Sequence, residues 1–232
     1  MSNINVRKPV RRALLRAGRR LSPKAQADLR VALGYLEIGA WLKGLPGQPR
    51  PMEVETEADL FAEALRRVGG ARPLYLEFGV FEGRSMRWWS ANLRNPDAQL
   101  VGFDSFEGLP EDWRPGLGKG HFSTGGVPEI NDERVTFVKG WFEESLPGFR
   151  VPEHDQLILI IDCDLYSSAD TVLRWVEPHI VPGTLIYFDE LPDRDHEWRA
   201  FQESLARTGH QVRPIGYANG GVHWLFEYVE KP

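Results

Sequence analysis

The sequence predicts one α/β domain built on a mostly parallel, doubly wound sheet. Three observations predict it. Short apolar runs at residues 74–78, 100–103, 135–138, 157–161 and 185–188 alternate with segments of helical spacing. The run Leu157-Ile158-Leu159-Ile160-Ile161 has no polar alternation, as expected of a central strand covered on both faces. Four of the five runs end on acids, at the carboxyl edge where open α/β sheets bind ligands.

The chain opens with a basic segment. Val10, Leu14, Ala17 and Leu21 recur at helical spacing, and a second helix spans about 25–42, with Leu29, Leu33, Leu36 and Ala40 on one face. A Gly- and Pro-rich loop follows at 43–51. Thr56-Glu57-Ala58-Asp59 reads as a helix start, with a capping hydroxyl and acids in the first turn. Leu60, Phe61, Ala64, Leu65 and Val68 give that helix a buried face, and Gly69-Gly70 ends it. After the first strand and its glycine turn, a helix runs from about 85 to 94. The second strand ends on Asp104, and a long Gly/Pro-rich loop occupies 105–132, a length usually reserved for function or motion. The third strand closes on Gly140-Trp141-Phe142. Helices near 168–179 and 195–207 flank the fifth strand. Two final strands, 212–215 and 222–228, are joined by Asn219-Gly220-Gly221, a hairpin signal. There is no internal repeat.

Charge is unevenly spread. Residues 1–30 hold nine Lys/Arg and one acid, about +8, whereas the rest of the chain carries about −13. The acidic body argues against a nucleic-acid grip. The basic segment reads as a solvated arm or a helix on its own acidic body, with a membrane-surface or targeting helix as the alternative. No apolar run approaches the ~20 residues needed to cross a bilayer, so stable membrane insertion is not expected. The single Cys163 excludes an intramolecular disulfide and fits a reducing cytoplasm.

The chemistry concentrates at strand ends. Tyr75-Leu76-Glu77-Phe78-Gly79-Val80-Phe81-Glu82-Gly83-Arg84-Ser85 is a strand, a glycine turn and a helix opening. Glycines let backbone approach a ligand closely, and a helix start offers unpaired N–H groups. A pyrophosphate turn would read G-x-G-x-x-G; the acid Glu77 suits a cationic, phosphate-free nucleoside instead. Asp104 lies 27 residues after Glu77, near the separation expected of a ribose-binding carboxylate. Asp162 and Asp164 are two apart, so an extended chain points both the same way. Asp189-Glu190 ends the neighbouring strand. Converging carboxylates require a cation or a shared proton, and all-oxygen ligands favour Mg²⁺, Ca²⁺ or Mn²⁺ over zinc. Cys163 should point away, into the sheet packing. His154, His179, His196 and His223 show no metal-ligand spacing; only His196, following the Asp189-Glu190 corner, is placed to act as a base.

The pattern E-x-G-x-x-x-G resembles motif I of class I S-adenosylmethionine (SAM) methyltransferases. With YLEFGVFEGRS, GFDSFEGLPE, VTFVKGWFEESLP and IDCDLYSSADTVLRWVEPHIVPGTLIYFDE, the chain resembles the macrocin O-methyltransferase (TylF/NovP/MycF-type) family over about 72–190 and the tail to 228. The resemblance implies a Rossmann-like seven-stranded sheet, mostly parallel with an antiparallel last strand and helices on both faces. It implies a SAM-binding domain at 72–232 behind a basic helical extension or lid at 1–71. By position, Glu77, Gly79, Phe81, Gly83 and Ser85 would surround the methionine part of SAM. Asp104 with Ser105 would bind ribose, and Gly140, Trp141 and Phe142 would lie near adenine. Asp162, Asp189 and Glu190 match the family's Mg²⁺ ligands, although the last is usually Asp. Asp164 matches the proposed general base. The implied activity is methyl transfer to a hydroxyl of a sugar or glycosylated natural product by a cytoplasmic homo-oligomer, dimer or larger. Two alternatives stand beside it: a metal-independent small-molecule methyltransferase using Asp164 or His196 as base, and a non-catalytic SAM-binding module.

Overall fold

The computed structural model describes residues 7–230. Its eight strands are β1 (Met52–Glu53), β2 (Pro73–Phe78), β3 (Gln99–Asp104), β4 (Val135–Lys139), β5 (Gln156–Ile161), β6 (Leu185–Phe188), β7 (Gln211–Ala218) and β8 (His223–Val229). They form one sheet in the order β1-β7-β8-β6-β5-β2-β3-β4, with only β8 antiparallel to its neighbours. The seven expected strands are therefore present. The eighth, β1, pairs with β7 over only two residues inside the stretch assigned to the extension; so short a strand leaves no periodicity to read.

The helices are α1 (Lys8–Gly18), α2 (Pro23–Gly44), α3 (Glu57–Leu65), α4 (Arg84–Asn92), α5 (Phe142–Ser145), α6 (Tyr166–Val176) and α7 (Glu197–Thr208). The alternation of β5 divides the core. Leu157, Leu159 and Ile161 face a core shared with α6 and α7, whereas Ile158 and Ile160 face a second core with α3 and α4. All five side chains are at most 1% exposed, each contributing about 1.5–3 kcal/mol of apolar burial, so this strand anchors both layers.

Local signals act where expected. Thr56 and Asp59 form a reciprocal capping box on α3. Gly209 ends α7 in the left-handed region, and Asn219, Gly220 and Gly221 turn the last hairpin with φ of 52°, 63° and 93°. Helix α2 departs from expectation. Its predicted apolar face, with Leu29, Leu33 and Leu36, is exposed, and the opposite face is buried through Gly34 and Ile38. A Cβ on Gly34 would fall 1.9 Å from the Pro192 carbonyl oxygen, so only glycine lets α2 cross the 190–196 corner this closely. Trp41 packs edge-on to Trp198 at 5.4 Å, and Glu37–Arg194 and Arg30–Asp195 pairs complete the contact. All of α1 is exposed.

Candidate active site

The sheet ladder runs one residue past several strands and brings the loops to one level. Gly79 N–H donates to Phe103 O (2.9 Å), Gly140 N–H to Asp104 O (3.0 Å), Asp162 N–H to Phe78 O (2.9 Å) and Asp189 N–H to Ile161 O (3.0 Å). Above that edge lies a cavity of about 440 Å³. Gly79, Phe81, Ser85, Asp104, Ser105, Gly140, Trp141, Phe142, Asp162, Asp164, Asp189 and Glu190 line it, with Trp113 and Phe122 from the long loop. Of the residues singled out in the sequence, Glu77, Gly83 and His196 lie outside the lining.

The glycine turn is held from two sides. Asp104 Oδ2 accepts the N–H groups of Val80 (2.8 Å) and Phe81 (2.9 Å), and Oδ1 accepts that of Phe106 (2.7 Å). Phe81 sits at φ 51°, an uncommon conformation for an aromatic residue, and these bonds stabilise it. Oδ2 is filled by its two N–H donors, and Oδ1 retains a further lone pair for a ligand hydroxyl. The Ser105 hydroxyl accepts from Glu107 N–H at 3.1 Å and organises the start of the long loop. Glu77 is buried beneath the turn, bonded at Oε1 by the Ser85 hydroxyl and leaving Oε2 without a partner. Burial pushes its pKa up to about 8. It is therefore held largely protonated at neutral pH and accepts the Ser85 hydroxyl, whereas the sequence reading took it as an acid suited to a cationic nucleoside.

That shift predicts a pH signature. In the unfolded chain Glu77 ionises near its ordinary value, about 4.5. Folding therefore retains a proton between roughly pH 4.5 and 8, and stability falls as pH rises through this window, by up to about 1.4 kcal/mol per pH unit. Glu77→Gln keeps an acceptor for Ser85 and removes the ionisation. Thermal melts should show the variant gaining on wild type from pH 5 to pH 8; a constant difference contradicts the assignment.

The acid cluster differs from the extended geometry that its spacing suggested. Asp164 sits at φ 60°, at the centre of a three-residue turn closed by Leu165 N–H to Cys163 O (2.6 Å), so parity of side chains along a strand does not apply. A non-glycine residue in such a conformation costs on the order of 1 kcal/mol or more. Desolvation and the Asp189 charge push the Asp164 pKa up to about 7, with Arg114 opposing. Desolvation, Asp189 and Asp164 push Asp162 well above its ordinary value. Asp189 Oδ1 accepts from the Tyr187 hydroxyl (3.0 Å) and lies 3.0 Å from His223 Nδ1. Glu190 is paired with Arg114 of the long loop, whose guanidinium stacks on Trp113 at 3.6 Å.

Among the described residues, no three His, Cys, Asp or Glu side chains are gathered to hold a metal ion. In donor chemistry Asp162 and Asp189 nonetheless fit an oxygen-preferring divalent cation: both line the cavity, and their mutual repulsion is what such an ion relieves. Glu190 as placed does not, because Arg114 already balances its charge.

His196 has a different occupation from a base at the cavity. Its Nδ1 accepts the Tyr166 N–H (3.1 Å) at the start of α6, and desolvation lowers its pKa. Sequence reading missed Arg114, the Asp189 partners Tyr187 and His223, and Glu197 behind the cavity. Only the length of the 105–132 loop signalled the first; the others depend on which elements pack together.

Comparisons with known proteins agree with this architecture. The family model described as "Methyltransferase domain" matches residues 76–191, half of the chain. The 8-demethyl-8-(2,3-dimethoxy-alpha-L-rhamnosyl)-tetracenomycin-C 4'-O-methyltransferase of Streptomyces olivaceus is 30% identical over 151 residues, covering 53% of this chain and 57% of that one. The chain thus spans little more than half the length of that relative. The structure of the O-methyltransferase NovP superposes with a TM-score of 0.56 at 19% identity, covering 90% of this chain and all of that one. A CmcI structure described as Mg-SAM gives 0.53 at 18%, covering 76% and 73%. At these identities the two structures show a shared fold, the Rossmann-like fold of class I methyltransferases.

Proposed function

Because the chain belongs to the methyltransferase-domain family, we propose that it transfers the methyl group of SAM to a hydroxyl of a sugar or glycosylated natural product. The carrying observation is the placement of Asp164 in the same cavity as the glycine turn and Asp104. The nucleoside lies over Gly79–Phe81, with its ribose at Asp104 and Ser105 and its adenine against Trp141 and Phe142. Asp164, with a pKa near 7, accepts the proton of the acceptor hydroxyl as that oxygen attacks the sulfonium methyl in line. Asp162 and Asp189 would hold a Mg²⁺ ion, with Glu190 the third acid matched by the resemblance, and the chemistry such an ion would supply there is a lowered pKa for the acceptor hydroxyl. The sugar acceptor is supported by the rhamnosyl substrate in the name of the Streptomyces relative.

Incubation with methyl-deuterated SAM and a panel of rhamnosides tests the reading by mass spectrometry. Label is expected on one sugar oxygen, lost in EDTA and restored by Mg²⁺. Full activity in EDTA removes the metal and leaves the metal-independent reading. Donor binding without label on any acceptor favours the non-catalytic module.

We assign residues 1–71 the role of an extension that braces the site through α2, in a chain working in the cytoplasm. Among the described residues no helix is long and apolar enough to cross a membrane. The exposed Leu29, Leu33 and Leu36 face supports a homo-oligomer, dimer or larger. Sedimentation should give a dimer or higher mass that Leu33→Glu reduces to a monomer; a monomeric wild type contradicts it.

A further inference from the structure

We propose that a second cavity, beside the first, seats the body of the acceptor as a neutral sugar ring held by Glu57, Asn219 and Trp88. The cavity measures about 430 Å³ and lies between the start of α3, the start of α4 and the hairpin that joins β7 to β8. Glu57, Ala58, Trp88 and Asn219 wall it, and Arg84 and Ser85 line both cavities. Transfer between two molecules needs room for both. The first cavity, about 440 Å³, lies at the lower end of the roughly 300–1,000 Å³ that one drug-sized ligand occupies, and in the methyl-transfer reading the nucleoside fills it. The adjoining space is left for the acceptor, whose reacting hydroxyl reaches past Arg84 into the first cavity.

Glu57 is the first sign of a ligand there. Its side chain is 15% exposed, whereas that of Arg84, its partner at 2.7 Å, is 79% exposed. An ion pair with one member so open contributes little, so it does not explain why the carboxylate is taken out of water. Oε1 of Glu57 meets the Tyr187 hydroxyl at 3.4 Å, but that group has a single hydrogen and a nearer acceptor, Asp189 Oδ1 at 3.0 Å. A carboxylate oxygen at the cavity wall is thus short of a donor, which a ligand hydroxyl provides. Asn219 gives an amide hydrogen to His223 Nε2 at 3.1 Å and keeps its amide oxygen as an acceptor. Trp88 is half-buried and fixed against Phe61 and Trp89, with ring centroids 5.4 and 5.3 Å apart. A rigid indole beside a carboxylate and an amide suits a sugar, whose C–H face meets the ring while its hydroxyls meet the polar groups. Glu57 and Arg84 balance each other, so neither a phosphate nor an amine finds a net opposite charge in them.

The inference rests on the methyl-transfer reading and deepens it. Ala58→Trp fills the second cavity from an exposed position in the first turn of α3, outside the lining of the first cavity. Affinity of methyl α-L-rhamnoside for the S-adenosylhomocysteine complex is measured by saturation-transfer NMR, and acceptor KM and kcat with the best rhamnoside. Ala58→Trp should weaken rhamnoside binding and raise acceptor KM by at least about 10-fold, while S-adenosylhomocysteine affinity by calorimetry stays within about 2-fold. Glu57→Gln, which exchanges a charged acceptor for a neutral one, should raise acceptor KM by at least about 5-fold with kcat within about 3-fold. It serves as the second test should Ala58→Trp not fold. Wild-type rhamnoside affinity in Ala58→Trp overturns the inference, as do a wild-type KM in Glu57→Gln and a wild-type complex that binds no rhamnoside. A wild type that binds the rhamnoside in competition with Ala58→Trp filling, yet methylates no acceptor, sinks the methyl-transfer reading alone. Methylation that Ala58→Trp leaves unchanged sinks the inference alone.

Discussion

Asp164→Asn is expected to cost at least about 10²-fold in turnover while leaving nucleoside affinity within a few fold. The substitution is chosen for its backbone as much as for its chemistry. Asp164 occupies φ 60°, where asparagine is tolerated and most other side chains are strained, so the turn survives while the proton acceptor is lost. In the proposed reaction, a pKa of about 7 suits a group that accepts a proton near neutral pH. Single-turnover rates with SAM and the best rhamnoside, beside S-adenosylhomocysteine calorimetry, separate the two effects. Unchanged turnover removes Asp164 from its role, and an equal loss of affinity makes it part of the nucleoside site instead.

Gly79→Ala should abolish nucleoside binding and lower stability by about 3 kcal/mol, through overpacking and an incompatible backbone together. Gly79 lies at φ 92°, and a Cβ there would fall 1.6 Å from the Asp162 carbonyl oxygen. Because that oxygen belongs to the chain leaving β5, relief requires moving either the glycine turn or the segment that carries Asp162 and Asp164. Both line the cavity, so the loss of binding and the loss of stability have one origin. Wild-type affinity and melting temperature in this variant would show that the turn is looser than the register of β2 and β5 implies.

What could be read from the chain followed the range of the interaction responsible. The capping box of Thr56 and Asp59, the Asn219-Gly220-Gly221 hairpin and the turn from Gly79 are local, and their residues announce them. The doubly wound order follows from the alternation of apolar runs and helical segments, and Asp104, Asp162, Asp164, Asp189 and Glu190 do reach one cavity, whereas Glu77 is buried outside its lining. The face of α2 was read wrongly because a stripe of Leu29, Leu33 and Leu36 says that a helix is amphipathic, not which neighbour meets it. The neighbour turned out to be Pro192, approached through Gly34 on the other side. The reach of Asp162 and Asp164 was inferred from an extended chain that instead turns sharply at Asp164. Glu197 and Arg114 carry no signal of their own, since an acid at a helix start and an arginine in a loop are ordinary until the fold places them beside Asp164 and Glu190.

The arrangement of donor and base is tested most directly by the structure of the chain with S-adenosylhomocysteine bound. The account predicts adenine against Trp141 and Phe142, ribose hydroxyls on Asp104, and the sulfur facing Asp164 across the cavity. A nucleoside bound elsewhere, or one whose sulfur is turned away from Asp164, contradicts it.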